Sequence, residues 1–139
     1  MTKKTFDLAS LDTVEACNKP FELELKHPET KQPLGMFIQH VGKDSDVFKQ
    51  YNQEKNDERL RVIAACEKRG EEIPIVFSEE MERRSIERIA ACTTGFRNIN
   101  NGGPVTFSHA AAIQLYTKFP WILRQVDASI VDLSNFMKD

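Results

Sequence analysis

The fold class is indicated most clearly by residues 21–41, FELELKHPETKQPLGMFIQHV. The first six residues alternate apolar and charged side chains, which is the two-residue period of a half-buried strand. Two prolines follow in a segment suited to a connection. Gly35 to Val41 then predicts a second strand with apolar residues on both faces. We therefore expect an N-terminal two-stranded β-hairpin.

The segment after the hairpin predicts a long helix. It runs from about Asp46 to Arg69, with Asp44 or Ser45 as the N-terminal cap and Gly70 as the stop signal. Residues 73–77 are apolar but contain a proline, so we expect an extended linker or edge segment there.

The remaining sequence predicts three more helices. Ser78 is expected to cap the second helix of the chain, and Gly95 to close it in a left-handed conformation. Ser108 is expected to cap the third. Pro120 suits the first turn of a fourth, which would run to about Met137.

Length and composition fit one globular domain. A chain of 139 residues with 40% hydrophobic and 29% charged residues can bury a real core. The predicted class is α+β, mainly α-helical, with the hairpin followed by about four helices. The domain would span residues 1–139, in which residues 1–20 could form a flexible N-terminal segment.

Charge argues against two classes of partner. Nineteen Lys and Arg against 21 Asp and Glu give a net charge of -2, which offers no attraction to nucleic acid or to an anionic membrane. No run of 18 apolar residues and no signal peptide is present, so we expect a cytoplasmic protein. Three widely spaced cysteines indicate reduced thiols instead of a disulfide framework.

The sequence carries no motif typical of catalysis. Its three histidines are far apart and lack metal-ligand spacing, and its Asn-Gly-Gly segment lacks the pattern of a phosphate-binding loop. Cys66 and Cys92 each follow two alanines, which favours packed thiols over nucleophiles. We therefore expect no catalytic residue, no cofactor and no metal site, and we keep an enzyme as a remote alternative.

The C-terminal quarter is unusually apolar. Residues 104–139 hold six charged side chains in 36 positions, about 17%, against 29% for the whole chain. Two interpretations remain open, a helical core or an apolar docking surface. Trp121 is expected to act mainly in folding. The candidate partner-binding residues, from the hairpin and this quarter, are Phe37, Ile38, Tyr116, Phe119, Trp121, Ile122 and Phe136.

Short segments of the last third occur in an ordered spacing. They are Thr93-Thr94-Gly95-Phe96, Gly102-Gly103-Pro104-Val105-Thr106-Phe107-Ser108, Leu115-Tyr116, Phe119-Pro120-Trp121-Ile122, Gln125-Val126 and Asn135-Phe136. This spacing resembles the pattern of tail assembly chaperones of long, non-contractile-tailed bacteriophages. That pattern often has a tryptophan after the Thr-Gly pair, where this chain keeps an aromatic residue in Phe96.

The resemblance implies a non-enzymatic helper made in the cytoplasm of the infected bacterium and absent from the mature virion. Such a protein binds the tape-measure protein, keeps it soluble and helps to recruit the tail tube protein, in similar phages partly through a longer frameshifted product. The alternative is a small phage regulatory or inhibitory protein that binds one host protein.

The hairpin also predicts self-association. Two strands alone leave open edges with unpaired N-H and C=O groups. The second strand, with Met36, Phe37, Ile38 and Val41, is apolar on both faces. We therefore expect reversible oligomers formed through the hairpin.

Overall fold

The computed structural model describes residues 5, 7–75 and 77–137. Over these residues the fold is mixed α+β and mainly helical, as predicted, with five α-helices where about four were expected. In chain order the elements are a 3-10 turn Leu8–Leu11, α1 Thr13–Asn18, β1 Phe21–Lys26, β2 Pro33–His40, α2 Asp46–Arg69, α3 Ser78–Cys92, β3 Thr93–Arg97, α4 His109–Lys118, α5 Pro120–Val131 and a 3-10 turn Leu133–Asn135.

The predicted hairpin is part of a larger sheet. Among the described residues, three antiparallel strands lie in the order β1, β2, β3, so β2 is paired on both sides. The prediction that β2 offers an open apolar edge was therefore wrong. Gly95 lies within β3 opposite Gln39 and does not close a helix, so the left-handed cap expected there was also wrong.

The hydrophobic core lies between one face of this sheet and helices α3, α4 and α5. Leu25 and Ile38 contribute from the sheet, and Ile89, Val126 and Ile130 from the helices, all of them fully buried. Each of these side chains removes its apolar surface from water, which stabilises the fold by about 1.5–3 kcal/mol. The sheet and these three helices thus fold as one unit around a common core.

A buried polar contact joins α4 to β3. The hydroxyl oxygen of Tyr116 lies 2.6 Å from Oγ1 of Thr93, which in turn donates to the carbonyl of Ile89 at 2.8 Å. Burial raises the pKa of Tyr116 well above its usual value, so this phenol stays protonated. The pair satisfies polar atoms that the core would otherwise leave without partners.

Helix α2 follows its sequence signals and lies to one side of the core. Ser45 Oγ accepts from the N-H of Phe48 at 3.3 Å, and Gly70 closes the helix with a left-handed φ of 69°, both as predicted. Of its described residues only Cys66 is buried. The hydroxyl of Tyr51 bonds the carbonyl of Arg84 at 3.1 Å, so α2 and α3 form a pair.

The other helix ends are partly as predicted. Ser108 caps α4 by accepting from the N-H of Ala111 at 3.0 Å, and Pro120 begins α5. Ser78 is not a cap, because α3 starts at this residue and no side chain caps the helix. Helix α5 ends at Val131 and not near Met137, since a 3-10 turn replaces its expected last turns.

In the N-terminal segment α1 packs on the fold, whereas residues 7–12 are exposed. Asp12 caps α1 by accepting from the N-H of Glu15 at 3.0 Å, and Cys17 is fully buried. The carbonyl of Cys17 accepts from the N-H of Gly42 at 2.8 Å. The expectation of a flexible segment over residues 1–20 also falls on residues 1–4 and 6, which lie outside the described residues.

Gly42 is expected to tolerate no side chain. A Cβ atom at this position would lie 2.6 Å from Sγ and 2.9 Å from Cβ of Cys17. We expect Gly42→Ala to lower the free energy of unfolding by about 1–3 kcal/mol because the overpacked site must shift, as measured by urea denaturation. Combining it with Cys17→Ala, which removes the nearer atom, should recover part of the loss. Gly103→Ala is the control, since nothing lies within 4 Å of its Cβ; equal losses in the two variants would contradict this account.

Candidate partner-binding site

Three of the seven candidate residues lie in the core. Ile38, Tyr116 and Ile122 are buried, and each packs in the cluster between the sheet and the helices. A partner cannot reach them on the folded chain, so they do not form a binding surface. Of the two interpretations of the apolar residues, a core or a docking surface, the core applies to these three.

The other four candidates are half-buried and are not brought together. The guanidinium of Arg97 lies over the ring of Phe37 at 3.8 Å, and Phe136 packs edge-on against Phe21 and His40. Phe37 and His40 are on opposite faces of β2, because their positions differ by an odd number along the strand. Phe119 and Trp121 pack against the core where α4 meets α5. The seven residues therefore do not form one surface.

A different apolar surface lies between α2 and α3. Ile75, Phe77 and Met81 are 79%, 72% and 62% exposed, and Val62 is also exposed. Val62, Ile75 and Phe77 line a cleft of about 350 Å³, and Met81 lines an adjoining one that shares two of the same walls. We call these four residues the α2–α3 surface. Exposed apolar side chains grouped in this way are typical of protein interfaces.

Charged side chains of both signs surround the α2–α3 surface. Arg59 donates to the carbonyl of Pro74 at 3.1 Å, which fixes the linker against α2. Glu80 pairs with Arg83 at 2.6 Å and with Arg84 at 3.3 Å. These hydrogen bonds lower the pKa of Glu80, and the bond from Arg83 has the largest effect. The surface thus has the apolar centre and polar rim of a protein interface.

The apolar residues 73–77 predict only an extended linker or an edge segment. The run of apolar side chains gives no sign of exposure, because burial depends on what packs above the segment. Phe77 precedes the first turn of α3, and the glutamates that follow it keep that turn in water. The signal that could have identified the surface is the pairing of an apolar linker with two strongly charged helices.

The buried pair of His40 and Ser129 has the distances of a base and a nucleophile. Nδ1 of His40 lies 3.0 Å from the carbonyl oxygen of Val41, which only accepts, so Nδ1 carries the hydrogen and Nε2 accepts from the Ser129 hydroxyl at 2.7 Å. Ser129 in turn accepts from Asn135 Nδ2 at 3.0 Å. Ser129 lies within α5, a helix whose interior N-H groups donate to carbonyls of the preceding turn. We assign this network to packing.

The cysteines are placed as packed thiols. Cys17, Cys66 and Cys92 are buried, which confirms the expectation for the latter two. Burial raises the pKa of Cys92 to about 12 and also raises that of Cys17, so both remain protonated at neutral pH. In residues 7–75 and 77–137, no group of three or more His, Cys, Asp and Glu side chains could hold a metal ion.

Comparison with known proteins gives no relative. No protein-family model, no curated protein sequence and no solved structure matches this chain. Within the described ranges, no helix is both long enough and apolar enough to cross a membrane.

Trp121 should affect stability more than its partial exposure suggests. It follows Pro120 in the first turn of α5 and packs against the core. We expect Trp121→Ala to lower the free energy of unfolding by about 3 kcal/mol, seen as a drop in Tm. Phe77→Ala is the matched control, since an exposed ring should change stability by about 0.5 kcal/mol or less. An unchanged Tm with loss of partner binding would make Trp121 an interface residue instead.

Proposed function

We propose that this protein is a tail assembly chaperone that binds the tape-measure protein of a bacteriophage and keeps it soluble. It helps to recruit the tail tube protein, through itself or a longer frameshifted product, and is absent from the mature virion. It works in the host bacterial cytoplasm without catalysis or a cofactor. The observation that carries the proposal is the α2–α3 surface.

The chemistry of the α2–α3 surface suits an amphipathic helix as its partner. An apolar strip in a groove between two helices can take the apolar face of a third, and the charged rim keeps the unbound surface in water. Ile75 and Phe77 project most strongly, so they are expected to provide most of the apolar contact. The hydrophobic helices that the resemblance implies for the tape-measure protein would present such faces.

The residues of the resemblance support the proposal in a different way. Thr93 bonds Tyr116, Ser108 caps α4 and Pro120 begins α5. These residues stabilise the scaffold and do not lie on the α2–α3 surface. The resemblance thus supports a common scaffold, whereas the exposed apolar side chains support the binding of a partner.

Co-expression with the tape-measure protein of the same phage tests the proposal. The wild-type chain should raise the soluble fraction of that protein and co-purify with it. A double variant, Ile75→Asp and Phe77→Asp, should lose both effects while keeping its Tm, because charge disfavours burial of these positions in an interface. Leu8→Asp is the matched control, since Leu8 is 82% exposed and lies outside the α2–α3 surface.

Two outcomes would contradict the proposal. One is equal solubilisation by the double variant and the wild type. The other is stoichiometric capture of a single host protein with no effect on the tape-measure protein, which would favour the regulatory or inhibitory alternative. A gene position between those of a tail tube protein and a long helical tape-measure protein would add independent support.

A further inference from the structure

The side chain of Gln125 occupies part of the free edge of β1. In the described part of the chain β1 pairs only with β2, so its other side faces no strand. The N-H of Lys26 donates to Gln125 Oε1 at 3.0 Å, and Gln125 Nε2 donates to the carbonyl of Lys26 at 2.8 Å. One side-chain amide thus makes the two hydrogen bonds that a neighbouring strand would make at this residue.

The directions of the peptide groups show which groups of β1 point outward. The N-H of His27 donates towards the β2 side, to the carbonyl of Gln32 at 2.8 Å. Peptide groups of successive residues alternate between the two sides of a strand. Lys26 therefore directs its N-H and C=O groups away from β2.

The register with β2 shifts between Glu24 and Lys26, so the glutamates are placed from the other end of the strand. The N-H of Val41 donates to Cys92 on the β3 side, which turns His40 and its partner Phe21 towards each other. Glu22 and Glu24 therefore direct their groups away from β2. The edge offers a row of pairing groups of which only the last is covered by a side-chain amide.

We propose that β1 of a second copy of this chain pairs antiparallel with this edge once Gln125 has turned away from Lys26. A groove of about 580 Å³ lies between β1 and α5, and Ala128 lines it with only a methyl group. The approaching strand therefore has room beside the edge. This pairing is independent of the tape-measure protein proposed above.

The charges of β1 favour its own copy as the occupant. If the two-fold axis passes at Leu25, Glu24 stands opposite Lys26 of the second copy, and Lys26 opposite its Glu24. Neither side chain makes a salt bridge among the residues that the structure describes, whereas Glu22 is already paired with Arg97. Two cross-strand pairs of opposite charge can thus form without breaking an existing one.

Gln125 acts as a latch on this pairing. While Gln125 is bonded to Lys26, only the peptide groups of Glu22 and Glu24 are available to a second strand. Pairing through these groups places glutamate opposite glutamate, which is unfavourable. Release of Gln125 exposes Lys26 and allows the register of opposite charges. Because the hydrogen bonds gained between strands replace those lost by Gln125, the association is weak and reversible.

Sedimentation velocity over a wide concentration range tests the proposal. The wild type should shift from monomer to dimer as its concentration rises. Gln125→Ala should tighten this association at least about tenfold, because Lys26 then lacks its intramolecular partner. Gln114→Ala, at an exposed glutamine of α4, should leave the association unchanged.

Charge reversal identifies the strand and its register. Glu24→Lys and Lys26→Glu should each weaken self-association, since each places like charges opposite one another. Mixing the two variants should restore a dimer. One chain then carries lysine at both positions and the other carries glutamate at both, so each cross-strand pair again joins opposite charges.

Three results would overturn the proposal. They are monomers of both wild type and Gln125→Ala at every concentration, charge variants that associate as strongly as wild type, and a mixture that stays monomeric. Circular dichroism establishes first that each variant is folded. If a charge-reversal variant does not fold, Glu24→Gln or Lys26→Gln replaces it at the same position, and weaker association is again expected. Solubilisation of the tape-measure protein is measured separately, so either proposal can fail alone.

Discussion

Ile38→Ala is expected to lower the free energy of unfolding by about 2–5 kcal/mol. Ile38 is fully buried at the centre of β2, the strand that joins β1 to β3. Truncation removes apolar atoms and leaves a cavity that the paired strands on either side cannot close. Urea denaturation followed by circular dichroism measures the change as a lower midpoint.

The neighbouring residue provides the matched control for Ile38. Phe37 points to the opposite face of β2, where it is half-buried beneath Arg97. Phe37→Ala removes a larger side chain, yet it should cost less stability because its space fills with water. A greater loss from Phe37→Ala than from Ile38→Ala would show that the outer face of the sheet, and not the inner one, holds the main core.

Acid is expected to destabilise the fold through His40. Burial lowers the pKa of His40 from its usual value of 6.5. The unfolded chain therefore takes up a proton near pH 6.5 that the folded chain takes up only at lower pH. The contribution of His40 to the free energy of unfolding is therefore fully present above about pH 6.5. As the pH falls below that value, the free energy of unfolding decreases by up to about 1.4 kcal/mol per pH unit.

Denaturation curves between about pH 5.5 and pH 8 test this pH dependence, since the carboxyl groups remain mostly ionised there. His40→Gln should be less stable than wild type at pH 8, because it disturbs the bonds to Val41 and Ser129, but its stability should vary less with pH. His109→Gln, at an exposed position, should keep the wild-type profile. A His40→Gln profile as steep as that of the wild type would assign the acid sensitivity to another group.

Sequence patterns within a few residues correctly predicted those elements whose ends and faces are determined by neighbouring residues. Alternation of apolar and charged side chains indicated β1, and Ser45 and Gly70 marked the two ends of α2 because a cap bonds groups within the next or preceding turn. Ser108 and Pro120 marked the starts of α4 and α5 for the same reason.

The features that sequence analysis missed depend on distant parts of the chain. Strand β3 has five residues with Gly95 in the middle, and it is stabilised by pairing with β2, more than 50 residues earlier. Exposure of Ile75 and Phe77 likewise depends on how α2 lies beside α3. The apolar residues Tyr116 and Ile122 gave no local sign of whether they face the core or a partner, and both proved to be buried.

Strands β2 and β3 are paired in the sheet, although helices α2 and α3 lie between them in the sequence. The two helices and their linker are therefore an insertion between adjacent strands. In the outer part of that insertion, residues 62–75 and 77–81, Cys66 is buried but no residue belongs to the core cluster between the sheet and the helices. The entropy of closing a loop rises only slowly with length, by about 0.6 kcal/mol for each doubling. Variants that lengthen or shorten this helix pair by whole turns should therefore fold at little cost, and they would change the reach of the proposed α2–α3 surface independently of the scaffold that carries it.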